Sequence, residues 1–105
     1  MFGLINKIFS SKPKVDYSVL VNEGALILDV RTKGEYASGH IKGSLNIPVE
    51  QLSAHLNKLK NKNSVIITCC ASGMRSASAK GILTSNGYVN VYNGGSWISL
   101  ERKIN

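Results

Sequence analysis

The sequence predicts an α/β domain built on a parallel sheet with helices on both faces. Three observations predict it. Short apolar runs recur at Ala25–Val30, Val65–Ile67 and Tyr88–Tyr92. Runs this apolar suit strands buried on both sides. Segments at helical spacing separate them, and strands alternating with helices imply a covered parallel sheet.

Each element follows in order. Asp16 can cap a short helix carrying Leu20 and Val21, with Gly24 as its stop. Ala25–Val30 is the first strand. Thr32 and Glu35 form a T-x-x-E capping box, so a second short helix starts there and ends at Gly39. Ser44–Ile47 is a brief strand closed by Pro48. Leu52, Leu56 and Leu59 lie at helical spacing until the polar run from residue 60 to Asn63. Val65–Ile67 runs into Thr68, Cys69 and Cys70. The Ala- and Ser-rich stretch after Met74 reads as a helix stopped at Asn86-Gly87. Tyr88–Tyr92 is a further strand, and Trp97, Leu100 and Ile104 mark a closing helix.

The chain has 105 residues, 43% hydrophobic and 18% charged, which suits one globular domain. No internal repeat is present. Ser10–Pro13 reads as a linker, dividing an amphipathic or flexible segment, residues 1–12, from a domain at residues 13–105. In the opening, Met1, Leu4, Ile5 and Ile8 form a helical stripe flanked by Phe2 and Phe9. Asn6 and Lys7 interrupt any signal-peptide core. The stripe suits contact with a membrane surface through residues 1–9, docking on the domain, pairing with another subunit, or fraying. No run approaches the roughly 20 apolar residues of a membrane span.

The formal charge is +7. A solvated basic surface and a field that gathers small anions both fit it. Nucleic acid does not, because no stretch alternates basic with aromatic residues. Cys69 and Cys70 are the two cysteines. Being adjacent, they cannot close a structural loop, and with His40 and His55 they give no metal spacing. No metal and no cofactor is expected, and a reduced, cytoplasmic setting fits.

In parallel sheets ligands gather beyond the carboxyl ends of the strands. There the chain reads Cys70-Ala71-Ser72-Gly73-Met74-Arg75-Ser76. A turn feeding a helix start aims backbone N–H groups inward and forms an anion cradle. A thiolate at Cys70 would be favoured there, against an ordinary thiol pKa of about 8.5. Arg75 adds a fixed positive charge, and Gly73 permits a tight turn. A merely buried cysteine at a strand end is the competing reading. Cys69 should point away from Cys70, since strand side chains alternate.

These residues resemble a known family. Cys-x-x-Gly-x-Arg-Ser after an apolar strand is similar to the active-site loop of single-domain rhodaneses. Asp29-Val30-Arg31, Glu35-Tyr36, Gly39–Ser44 and Asn46–Pro48 resemble the family's amino-terminal signature. Gly94-Gly95 and Trp97 resemble its closing block. The resemblance covers about residues 14–101 and implies a rhodanese-like three-layer domain.

It also implies sulfurtransferase chemistry. Cys70 would take the outer sulfur of thiosulfate, or of another small anionic sulfane donor, as a persulfide. Cyanide or a thiol would then accept it. The loop from Ala71 to Ser76 (Ala71, Ser72, Gly73, Met74, Arg75 and Ser76) would bind the donor and the persulfide, with Arg75 on an oxyanion. Asp29, Arg31 and His40 would support the loops around the site. A sulfur carrier served by protein persulfide partners is the main alternative. A phosphatase or arsenate reductase on the same fold is less favoured. Four residues separate Cys70 from Arg75, one fewer than in similar phosphatases, whose tetrahedral substrate needs a wider cradle.

Overall fold

The computed structural model describes residues 14–59 and 61–105. The expectations for residues 1–12, including membrane-surface contact through residues 1–9, lie outside the described residues.

The chain begins with α1, Tyr17–Asn22, whose cap is Asp16: its carboxylate accepts from Val19 N at 3.2 Å. Strand β1, Leu26–Asp29, follows. Helix α2, Lys33–Ser38, carries the expected capping box in full. Thr32 Oγ1 accepts from Glu35 N, and Glu35 accepts from Thr32 N. The two-residue β2, Leu45–Asn46, leads into a 3-10 helical segment, Val49–Lys58. Strand β3 is Ile66–Cys70, helix α3 Met74–Ser85, strand β4 Val91–Ser96 and helix α4 Trp97–Ile104.

The four strands pair in parallel in the order β2-β1-β3-β4. Two apolar layers sandwich the sheet, and alternation along β3 assigns its side chains. Ile66 and Cys70 face Leu52, Leu59, Ala79, Leu83 and Tyr88, the layer under α3 and the 3-10 segment. Ile67 and Cys69 face Leu100, Ile41 and Ile27, with Tyr17, Leu20 and Trp97 from α1 and α4 packed against them. The predicted α/β domain with helices on both faces is the fold observed.

Two elements differ from the sequence reading. The last strand was expected at Tyr88–Tyr92 and lies at Val91–Ser96. Tyr88 is instead a buried anchor whose hydroxyl donates to the Leu59 carbonyl. The stretch around Leu52 and Leu56 keeps helical spacing but winds as 3-10 helix, broken at His55 with φ −121°.

Strand β4 is irregular where it passes the end of β3. Thr68 pairs with Asn93 and Cys70 with Ser96, so two residues, Gly94 and Gly95, stand opposite Cys69. This is a bulge, the device that bends a strand beside a functional loop. It needs a residue without a side chain at Gly94. A Cβ there would sit 2.8 Å from Ile67 Cγ2 and 2.9 Å from both Leu100 Cδ2 and the Thr68 carbonyl oxygen.

Candidate active site

The expected loop lies at the carboxyl end of β3. Cys70 is the last strand residue and is 1% exposed. Three residues on, Gly73 adopts φ +102°, ψ −10° and starts α3. That left-handed conformation suits glycine. It turns the chain back over the sulfur, so Gly73 N donates to Cys70 Sγ at 3.0 Å and Ser76 N at 3.3 Å. The Ser76 hydroxyl lies 3.5 Å from the same sulfur. The positive end of the twelve-residue α3 adds to this field.

Burial pushes the Cys70 thiol up. The Ser76 hydroxyl and the N–H groups of Ser76, Gly73 and Ser72 pull it down, and the balance falls below the ordinary thiol value. Of these donors the amides are the dependable ones. Ser76 Oγ also donates to Asn93 Oδ1 at 2.6 Å, a bond that competes for its single hydrogen. Cys69 behaves oppositely. Burial first, then the negative charge of Asp29, holds its thiol up at about 12. Cys69 faces the other side of the sheet, as alternation requires.

The remaining loop residues divide by exposure. Ala71, Ser72 and Met74 are exposed at the rim, while Ser76 is buried beneath it. Arg75 lies half-buried and forms a fork with Glu35, Nη1 to Oε1 at 2.7 Å and Nη2 to Oε2 at 3.0 Å. Hydrogen bonding to Arg75 is the main reason that Glu35 titrates at about 2.

Asp29 and Arg31 form a buried ion pair behind this rim, at 2.7 Å. Arg31 Nη2 also donates to the Gly39 carbonyl at 2.7 Å and Nη1 to that of Glu35 at 3.3 Å. Its guanidinium lies 4.6 Å above the Trp97 ring. Burying such a pair is tolerable only when its donors and acceptors are satisfied. Here one side chain ties β1 to the C-terminal carbonyls of α2. His40 is exposed and stacks on Tyr36 with ring centres 3.7 Å apart. Its Nδ1 donates to the Tyr36 carbonyl at 2.8 Å, so its contacts are with α2.

Two residues of the site escaped the sequence reading. Asn93 buttresses the loop from β4. Its Oδ1 accepts from Ser76 Oγ and from Gly95 N at 2.9 Å, and its Nδ2 donates to the Gly73 carbonyl at 3.3 Å. No local signal marks it. Glu35 stood out as a helix cap, and nothing in its spacing reports the partner forty residues away. Among the described residues, no group of three or more His, Cys, Asp or Glu could hold a metal ion. No helix among them is long and apolar enough to cross a membrane.

The chain is similar in sequence and fold to known proteins. The thiosulfate sulfurtransferase PspE of Escherichia coli is 33% identical over 69 residues, 65% of this chain and 66% of that protein. YrkF of Bacillus subtilis, provisionally named a sulfur carrier protein, is 38% identical over 82 residues, 78% of this chain and 42% of YrkF. The chain thus spans less than two thirds of the length of these relatives. The human single-domain sulfurtransferase TSTD1 superposes with a TM-score of 0.71 at 28% identity, covering 89% of this chain and 98% of TSTD1. The rhodanese-like domain family itself matches residues 15–96, a span that holds all four strands and the whole Cys70 loop, and the chain belongs to that family.

Proposed function

We propose that the chain moves sulfane sulfur through a persulfide on Cys70, in the cytoplasm, using residues 13–105 as its catalytic unit. The observation that carries this reading is the pair of amides on one sulfur, Gly73 N at 3.0 Å and Ser76 N at 3.3 Å. Fixed N–H dipoles around a buried sulfur favour an anion without reorganising. They suit both the attacking thiolate and the persulfide that replaces it.

The reaction runs in two displacements. The Cys70 thiolate attacks the outer sulfur of thiosulfate or a similar donor. A Cys70 S–S bond forms, the donor S–S bond breaks, and sulfite leaves with its electron pair. The persulfide anion stays under the amides of the Ala71–Ser76 loop. Arg75 keeps N–H groups beyond the two that Glu35 takes, which leaves it a weakened partner for an oxyanion donor at the rim. Cyanide or a thiol then attacks the outer sulfur, and Cys70 departs as thiolate. Asp29, Arg31 and His40 act by holding the chain around the loop. Family membership and the sulfurtransferase relatives support this assignment.

Incubation with thiosulfate alone should add one sulfur atom to the protein. Peptide mapping should place it on Cys70, and cyanide should remove it as thiocyanate. Cys70→Ser should abolish loading and Cys69→Ser should retain it. Equal losses from both would mean a dithiol mechanism.

A second reading is a sulfur carrier loaded by a protein persulfide. The likeness to YrkF favours it, and so does Met74, a large apolar side chain 79% exposed at the rim, where a partner would touch it. A carrier would accept sulfur from a persulfidated protein and stay unmodified by thiosulfate.

A further inference from the structure

The rim of the Cys70 loop is closed on one side by an ion pair with unusual restraints. The Arg75 fork occupies both oxygens of Glu35. Glu35 cannot easily swing away, because Oε1 also accepts from Thr32 N at 3.0 Å and Thr32 Oγ1 at 3.1 Å. Leaving Arg75 would mean opening the cap of α2. Arg75 further feels the negative charges of Cys70 and Glu50. At the mouth, then, one guanidinium is held by a carboxylate fork, and the more distant Cys70 and Glu50 add only weakly. A doubly charged donor meets a cation already neutralised, although the chain as a whole carries +7.

We propose that Glu35 is a specificity-determining residue: by holding Arg75 in a two-bond fork it withholds that cation from dianionic donors and shifts selection toward hydropersulfides, R–S–SH. This rests on the sulfur-transfer reading and names its donor class. With a hydropersulfide, the Cys70 thiolate attacks the outer sulfur and a Cys70–S–SH bond forms. The donor S–S bond breaks, and RS⁻ leaves with the electron pair. No oxyanion develops, so no free guanidinium is required. Thiosulfate brings two negative charges to the same mouth and releases sulfite, so it needs the cation that Glu35 holds.

The experiment compares the full chain with its Glu35→Gln variant, using thiosulfate and cysteine hydropersulfide as donors. Glutamine serves the capping box as glutamate does, so the helix start is kept while the charge goes. The KM for thiosulfate should fall about threefold to fivefold, the scale of one exposed ion pair. The kcat/KM ratio of thiosulfate to hydropersulfide should rise by the same factor. The gain should shrink in about 1 M salt, where screening acts within about 3 Å. It should also shrink in the Arg75→Ala background, where there is no guanidinium to release. Should Glu35→Gln fail to fold, Glu50→Gln removes the second carboxylate from the field of Arg75 and should lower the thiosulfate KM in the same direction. An unchanged or higher thiosulfate KM, or equal gains for both donors, overturns the assignment while leaving sulfur transfer intact. Failure of thiosulfate, cysteine hydropersulfide and a persulfidated protein alike to load wild-type Cys70 overturns sulfur transfer itself, and this role of Glu35 with it.

Discussion

Replacing Gly94 by alanine tests the link between the bulge and the site. The added Cβ would lie 2.8 Å from Ile67 Cγ2, 2.9 Å from Leu100 Cδ2 and 2.9 Å from the Thr68 carbonyl oxygen. None of the three can yield cheaply. Ile67 and Leu100 are both 0% exposed in one packed layer, and the carbonyl belongs to the central strand β3. Overpacking of this kind costs about 1–3 kcal/mol. Taking about 2 kcal/mol, a domain of this size should lose roughly 8–16 °C in Tm. The strain should also reach the site, because Asn93 precedes Gly94 and holds both Ser76 and the Gly73 carbonyl. Thermal melts followed by circular dichroism give the first quantity, and the rate of Cys70 alkylation at neutral pH gives the second. A Gly94→Ala protein that melts with wild type and alkylates at the wild-type rate would refute the reasoning. It would mean that the bulge relaxes freely and does not position the loop.

Other outcomes are expected from the same geometry. Ser76→Ala removes the hydroxyl but keeps the residue-76 amide on Sγ, so alkylation of Cys70 at pH 7 should fall by less than about fivefold, the worth of one neutral hydrogen bond near 1 kcal/mol; a much larger loss would make the hydroxyl the principal anion donor. The Cys70 thiol is lowered and that of Cys69 raised to about 12, so at any pH Cys70 carries the larger thiolate fraction. Limited iodoacetamide should therefore modify Cys70 and spare Cys69, and labelling of both at similar rates in the folded protein would contradict this. Gly81 sits inside α3 with open space where a Cβ would go, so Gly81→Ala should stabilise the protein by about 0.5–1 kcal/mol and raise Tm by several degrees. A lower melting temperature would show that α3 is packed more tightly there.

What the sequence made legible was mostly local. The Asp16 cap, the Thr32–Glu35 box and the Gly73 turn each depend on residues within four positions, so their chemistry is written side by side. Cys70 was legible for the same reason. Strand β4 was not. Gly94-Gly95 resembles a turn, and only pairing with β3 makes it the middle of a strand. Tyr88, aromatic and next to Val89, resembles a strand start, while its burial beside Leu59 belongs to tertiary packing. Asn93 and the Arg75 role of Glu35 were hidden likewise, because each acts across the fold. Local rules gave one duty for Glu35, and the structure adds a second.

The placement of Cys69 and Cys70 on opposite faces of β3 bears on how the protein withstands oxidation. The chain has two cysteines, and a vicinal disulfide between them would require β3 to break at its end. A sulfenic acid formed on Cys70 therefore has no resolving thiol within this domain. Unlike a sensor with a paired cysteine, this sulfur can be rescued only by a thiol arriving from outside, and without one it passes to irreversible sulfinic and sulfonic acids. The amides that favour a thiolate at this sulfur also expose it to that fate. On the proposed reading, transferable sulfur held there would shield it, because the outer atom takes the oxidant first and the S–S bond to Sγ can still be cleaved by a thiol, which returns Cys70 as thiolate.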